Sequence, residues 1–227
     1  YLFSDGTTGL LHKNPGKIPV GVVIDPVNHL AAAIEEVGNG TKYKFAVEKY
    51  RSVPTSTVQV SNSDLTIDAN RYLAQFATSG YDETWNASYT SSNVTGDKVK
   101  GNNPDFPAFY AAGRFRPSVA LSGSLASKKW FLPSQQDYFH AYDLLGFAQD
   151  IMLIGSLTKR YRWYGYLFEK AFTDAGGKSF MTTEQNGYYW TSTAHSGGSR
   201  FWPIARELYF PSNHSPFEYK VRAFVLY

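Results

Sequence analysis

The chain has 227 residues, of which 17% are aromatic and 18% are charged, and its formal net charge is +3. A chain of this length can bury about 70% of its unfolded surface, so length and composition predict a folded globule and argue against disorder. The basic residues are dispersed, which argues against nucleic-acid binding, and no apolar run approaches the roughly 20 residues that span a bilayer. The absence of cysteine excludes disulfides, thiol nucleophiles and cysteine-based metal sites.

The first 60 residues are predicted to be extended. Residues 20–24 form a short apolar run that is typical of a buried strand. Residues 43–48 alternate between apolar and mostly polar side chains, which is the period of a half-buried strand. Residues 58–60 are a candidate for one more strand.

The pattern becomes helical at residues 66–78, where the apolar side chains share one face and Gly80 is expected to end the helix. Residues 79–103 are rich in Ser, Thr, Asn, Gly and Asp and contain few apolar anchors. This composition predicts a long surface loop. A short helix is expected at residues 107–115, because proline is well tolerated in a first turn.

The clearest helix begins after Ser134. Ser134 and Asp137 have the spacing of a capping box, and apolar residues follow between 138 and 145 at helical intervals. A second helix is predicted from Leu157 to about residue 175, with Gly176 and the glycine after it as the stop signal.

From Tyr188 onward the chain is extended again. The sequence shows three strand-like segments, at residues 188–192, 201–210 and 219–227. Two loop-forming segments, at residues 195–199 and 211–216, separate them. We expect the last two strands to pair, which would bring the two loops together on one face. We also expect segments 189–193 and 221–226 to share a terminal antiparallel sheet. Four apolar side chains are assigned to the core: Trp190, Val221, Ala223 and Val225.

The sequence lacks the common motifs of catalytic and metal-binding sites. The five histidines show no metal-ligand spacing, and there is no nucleophile elbow, phosphate-binding loop or dinucleotide fingerprint. Residues 62–70 contain Asn, Ser and Asp side chains whose oxygen atoms could bind a cation. They lack the glycine turn and terminal glutamate of a calcium loop. We therefore predict no catalytic residue, no metal and no cofactor, so the chain is not expected to be an enzyme.

Three short motifs carry a family resemblance. Residues 130–134 (Trp-Phe-Leu-Pro-Ser) open a helix, residues 189–193 (Tyr-Trp-Thr-Ser-Thr) form a strand, and residues 220–224 (Lys-Val-Arg-Ala-Phe) lie in the last strand. In order and spacing they resemble the bacterial and phage C-type-lectin-like superfamily, which shares the fold of the formylglycine-generating enzymes. Residues 5–7 and 21–24 look like the opening strands of versions common in gut Bacteroides and their phages.

This resemblance implies an α+β, C-type-lectin-like fold with small antiparallel sheets, two or three helices and long loops. We expect one such domain over residues 1–227, with a loop-rich insertion around 79–103. The formylglycine-generating members work with cysteines or a copper site built on them, so this chain resembles the non-catalytic branch. The Glu-Pro-Asn and Gln-Pro-Asp calcium motifs of sugar-binding members are absent, which argues against calcium-dependent sugar recognition.

The superfamily includes surface adhesins, pilus-tip domains and the variable proteins of diversity-generating retroelements. In the last group the rewritten positions lie between the two motif strands, which here is residues 194–219. Segments 194–200 and 212–217 contain only residues that adenine replacement in an asparagine codon can produce, whereas Trp202 and Glu207 cannot arise in this way. Hydrophilic loops are rich in the same residues.

The resemblance therefore implies a surface or phage-tail adhesin with a variable C-terminal binding face. Aromatic, Arg and small polar residues in loops on a rigid scaffold are typical of such faces. The expected ligand-binding residues are His195, Ser196, Ser199, Arg200, Trp202, Tyr209, Ser212, Asn213, His214 and Phe217. The expected partner is a protein or glycan receptor on a target cell, met at the cell surface, on a virion or in the extracellular space, without nucleic acid or membrane insertion. The alternative is a structural pilus or fibre module whose C-terminal loops contact another subunit.

Overall fold

The computed structural model describes residues 1–51, 53–60, 79–144, 165–178, 188–195, 200–204, 213–214 and 217–227. In chain order the strands of these ranges are β1 (Leu2–Phe3), β2 (Pro19–Asp25), β3 (Leu30–Ala33), β4 (Tyr43–Lys44), β5 (Gln59–Val60), β6 (Trp130–Phe131), β7 (Tyr189–His195), β8 (Arg200–Ile204), β9 (Asn213–His214), β10 (Glu218–Tyr219) and β11 (Phe224–Leu226). The helices are α1 (Gly80–Trp85), α2 (Pro107–Gly113), α3 (Gln135–Leu144) and α4 (Gly165–Asp174). The mixture of helices with small, mostly antiparallel sheets confirms the α+β class.

The largest sheet has the strand order β1-β2-β3-β11-β6 and is antiparallel throughout. The last strand of the chain therefore lies between β3 and β6, with Val225 opposite both Ala31 and Trp130. All four residues of β3 are buried, and α3 covers one side through Tyr138, whose ring lies 5.0 Å from that of Phe224. The apolar run at residues 20–24, predicted as a buried strand, lies within β2.

Local signals predict α2, the start of α3 and the end of α4 correctly. The backbone N–H of Asp137 donates to Ser134 Oγ at 3.2 Å, and the Ser134 N–H donates back to Asp137 Oδ2 at 2.7 Å, so the predicted capping box is confirmed. The short helix after residue 106 is also confirmed, with proline in its first turn. Helix α4 ends at Asp174, and Gly176 follows in the left-handed region with φ of 74°. The predicted start of this helix at Leu157 and the predicted helix at 66–78 lie outside the described residues.

Residues 79–103 are not the long surface loop that their composition predicted. Gly80, expected as the stop of a helix, begins α1, and the side chain of Ser79 accepts the Asp82 N–H as a cap. Glu83 and Lys100 are both buried and form an ion pair of 2.7 Å, and Lys100 also donates to Ser56 Oγ at 2.6 Å. The composition was misleading because two charged residues that usually face water neutralise each other inside the fold.

Two strand predictions are corrected by the pairing. The half-buried strand expected at residues 43–48 is limited to β4, which pairs with β10, and a 3-10 turn follows at Glu48–Tyr50. The expected terminal sheet containing both 189–193 and 221–226 is wrong. Strand β7 belongs to a sheet with the order β5-β7-β8-β9, whereas β11 belongs to the five-stranded sheet. Among the described residues, Arg222 of the second segment donates a hydrogen bond to the Tyr189 hydroxyl of the first, and Tyr189 also forms a parallel bridge with Lys220.

The core lies where the sheets and helices meet. Trp190, Val221, Ala223 and Val225 are completely buried, as predicted. The Phe45 ring lies edge-on to Trp190 at 5.5 Å and to Phe109 of α2 at 5.2 Å. Edge-to-face packing of this kind is favourable beyond the burial of area alone. These Phe45 contacts connect the start of β7 with α2.

Candidate functional site

The three motif segments that carry the family resemblance contact one another directly. The Ser192 N–H of β7 donates to the carbonyl of Pro133 at 2.7 Å, and Thr193 Oγ1 accepts the N–H of Gln135 at 3.0 Å. The Trp190 N–H donates to the Lys220 carbonyl at 3.0 Å, and β6 pairs with β11. The three motif segments, which are separated by up to about 90 residues in sequence, thus form one connected framework.

A buried polar cluster fixes this framework to the N-terminal half. Arg222 donates to the Ile34 carbonyl at 2.8 Å and to the Tyr189 hydroxyl at 3.2 Å. The Tyr189 hydroxyl donates to the carboxylate of Glu36, and Lys220 Nζ lies 3.3 Å from the same carboxylate. Burial raises the pKa of Tyr189 above its ordinary value, so the phenol stays protonated and acts as a donor. These buried groups bind one another, which is the arrangement of a structural cluster.

Strand pairing brings together the described parts of the two predicted binding segments. His195 ends β7, Arg200 begins β8 with Trp202 two residues on, and Asn213 and His214 form β9. In the β8–β9 pair, position 200 lies opposite position 214, and position 201 lies opposite position 213. The sequence predicted that segment 201–210 pairs with segment 219–227. Within the described residues, β8 instead pairs with β7 on one side and with β9 on the other. We call the two segments, 195–200 and 212–217, together with Trp202 and Tyr209, the C-terminal face.

Phe217 is the member of this face whose side-chain environment is described. Its ring is 48% exposed and lies parallel to that of Tyr219, with the centres 6.1 Å apart. Tyr219 is buried and packs against Trp190 at 4.5 Å and Tyr188 at 5.0 Å. The exposed Phe217 ring therefore packs on a buried ring, Tyr219, that is itself held by its aromatic neighbours. We call Tyr188 and Tyr219 the aromatic platform. Four other predicted residues, Ser196, Ser199, Tyr209 and Ser212, lie outside the described residues.

Sequence reasoning missed the neighbour of β7 on its other side. Strand β5 runs parallel to β7, with Gln59 opposite Ala194 and Val60 opposite His195. Residues 58–60 were a candidate strand, but the sequence does not reveal a pairing partner more than 130 residues away. The aromatic platform of Tyr188 and Tyr219 was also missed. Its signal was present in the alternation of Phe217 and Tyr219 along the chain, since residues two apart in a strand share a face.

The described residues form no cluster of candidate metal ligands. They include no group of three or more His, Asp or Glu side chains that could hold a metal ion. The carboxyl groups with raised pKa values, Glu83 and Asp137, are buried in structural contacts with Lys100 and with backbone N–H groups. In the same ranges, every helix is too short or too polar to cross a membrane.

Comparison of the chain with protein-family models, with curated proteins and with solved structures found no match in any of the three. The functional argument consequently depends on the geometry of the chain itself.

Proposed function

We propose that the chain is a non-catalytic ligand-binding protein with a C-type-lectin-like fold, a surface or phage-tail adhesin whose C-terminal face binds a receptor on a target cell. The fold proposal is supported by the mutual contacts of the three motif segments. A chance set of short motifs has no reason to be adjacent in space. Here the Leu-Pro-Ser helix start, the Tyr-Trp strand and the final strand are linked by backbone hydrogen bonds and strand pairing.

The observation that supports the binding proposal most is the pairing of β8 with β9. It puts position 200 beside position 214, so residues of the two predicted segments are neighbours in one sheet. A receptor that contacts one segment is then within reach of the other. Binding residues concentrate in surface segments carried by a rigid scaffold, and β7 provides that scaffold through its buried residues Trp190 to Thr193.

The second support is the exposed ring of Phe217 on its aromatic platform. Binding energy at interfaces is concentrated in a few aromatic and Arg side chains. A ring that is already held in place loses little conformational freedom on binding, so more of its burial contributes to affinity. The contacts of Tyr219 with Trp190 and Tyr188 supply that restraint.

The retroelement part of the proposal concerns residues 194–219. If these codons are rewritten at adenines, the genomic locus contains a reverse transcriptase gene and a near-copy of the 3′ end that differs mainly at adenines. Sequencing the locus checks this directly. A locus that lacks both elements would remove the retroelement hypothesis and leave the adhesin hypothesis standing.

The binding proposal is tested with a variant in which all ten predicted residues are replaced at once, each by Ala or Ser. Adhesion of the labelled variant to the target cells is then measured. We expect adhesion to be lost and the unfolding temperature to be retained. A control variant replaces exposed polar residues of the N-terminal half, such as Lys13, Asn28 and Lys42, and should adhere like the wild type. Unchanged adhesion of the ten-residue variant would contradict the proposal. Loss of self-assembly into fibres would instead support the structural-module hypothesis.

A further inference from the structure

A second surface carries exposed cations stacked on aromatic rings. Lys129 Nζ lies 4.8 Å from the ring centre of Trp85, and the guanidinium carbon of Arg114 lies 3.4 Å from the ring centre of Tyr110. Arg114 also donates to the Gly101 carbonyl at 2.7 Å. Each cation is thus held over a ring instead of extending freely into water, which is a favourable contact in its own right.

The two cation–aromatic pairs form one continuous surface. A Cβ atom on Gly113 would lie 2.9 Å from the six-membered ring of Trp85, so the backbone next to Arg114 packs directly against that ring. The indole N–H of Trp85 donates to the Trp130 carbonyl at 3.0 Å, which fixes the ring beneath Lys129. The exposed residues Arg116 and Lys128 flank the pairs in sequence. We call the six side chains the basic aromatic surface: Trp85, Tyr110, Arg114, Arg116, Lys128 and Lys129.

The positive charge of this surface is not neutralised locally. All four cations are exposed, and none of them forms an ion pair with a carboxylate in the part of the chain that the structure describes. By contrast, two lysines elsewhere are paired with carboxylates, Lys17 with Asp5 and Lys170 with Asp174. Exposed cations without carboxylate partners attract anions and raise their local concentration.

We propose that the basic aromatic surface binds an acidic polysaccharide through its sulfate or carboxylate groups. Single-stranded nucleic acids gain much of their affinity from bases stacked on free aromatic faces, and here a cation already covers a face of each ring. The restrained cations suit a ligand that is recognised by its charges. This proposal is independent of the C-terminal face, because none of the six residues belongs to it.

The test uses dextran sulfate as the probe, with neutral dextran as the ligand control. Replacing Arg114→Gln together with Lys129→Gln is expected to raise the dissociation constant about tenfold, because two charge contacts are lost. The matched control, Lys13→Gln with Lys178→Gln, removes the same net charge from exposed residues elsewhere and should bind like the wild type. Binding should weaken as salt is added, because exposed charges are screened.

A second pair of substitutions keeps the test valid if the first variant folds poorly. Arg116→Gln with Lys128→Gln leaves both ring contacts in place and is also expected to weaken binding. The proposal is overturned if dextran sulfate does not bind, or if the control variant loses as much affinity as the surface variants. It is overturned in favour of nucleic acid if a single-stranded oligonucleotide binds more tightly than dextran sulfate and shows the same sensitivity to the substitutions.

Discussion

Asp137 is a buried carboxyl group at the start of α3, where it accepts N–H groups from Ser134 and from Gly80 of a neighbouring helix. Burial raises its pKa from 3.8 to about 6, although these hydrogen bonds favour the carboxylate. The folded protein therefore holds a proton over a pH range in which the unfolded chain has released it. This stabilising contribution is fully present below the unfolded pKa and is lost as the pH rises through the folded one.

The Asp137→Asn variant tests this pH dependence. Between pH 4 and pH 7 the wild-type free energy of unfolding should fall by about 2 kcal/mol more than that of the variant, which lacks the titrating group. Urea unfolding of both proteins at the two pH values provides the measurement. Identical pH dependence of the two proteins would show that Asp137 titrates normally.

The buried ion pair between Glu83 and Lys100 allows a second prediction at the scale of single residues. Lys100→Met leaves the Glu83 carboxylate buried without its cation, which is expected to cost about 3–5 kcal/mol of unfolding free energy at pH 7. Adding Glu83→Gln removes the stranded charge and should recover part of that loss. Arg51→Gln, which breaks an exposed pair with Glu48, serves as the control and should change stability little. If the single variant were as stable as the double variant, the pair would not be buried as described.

At the scale of elements, the structure shows what local sequence can predict. The start of α3 was predictable because the Ser134 cap and its partner are three residues apart, and the end of α4 was predictable because Gly176 follows it. The partner of β7 was not, because strand pairing depends on residues far along the chain. Residues 79–103 were misassigned because the partner that allows Glu83 to be buried is 17 residues away.

The packing of α1 against the start of α3 is tested by a single methyl group. A Cβ atom on Gly80 would lie 2.3 Å from the Leu132 carbonyl oxygen, so Gly80→Ala is expected to lower the unfolding free energy by about 1–3 kcal/mol. Gly16 has open space around it and should tolerate Ala, with a gain of up to about 1 kcal/mol. Equal stability of the two variants in urea unfolding would mean that residue 80 belongs to a loose loop after all.

The β8–β9 register is tested by a disulfide, which is simple to interpret because the chain has no cysteine. Directly opposed residues of antiparallel strands have Cα atoms about 4.5–5.5 Å apart, within the range for a disulfide. Arg200→Cys with His214→Cys should form an intramolecular bond under mild oxidation. Trp202→Cys with His214→Cys is the out-of-register control and should stay reduced. Mass spectrometry distinguishes the two, and faster bonding in the control would refute the register.

At the scale of the whole molecule, the buried framework and the proposed binding face have separate roles. The motif segments, the Arg222 cluster and the aromatic core hold the five-stranded sheet and β7 together. Phe217 of the C-terminal face is exposed and contacts that framework through Tyr219, so its substitution should change recognition and leave folding intact. The motif segments were visible in the sequence, but two of them were assigned to one sheet and lie in different sheets, and the pairing of β7 with β5 is encoded by no local pattern.

Phe217 and the residue beneath it, Tyr219, allow the central claim to be measured directly. Phe217→Ala should weaken adhesion to the target cell by about 2 kcal/mol, roughly 30-fold in the dissociation constant, and change the unfolding free energy by about 0.5 kcal/mol. Tyr219→Ala removes a buried ring and should cost about 3 kcal/mol of stability. Measuring affinity and unfolding for both variants separates a binding residue from a core residue. If Phe217→Ala binds like the wild type, or loses stability as Tyr219→Ala does, the C-terminal face is not the binding face.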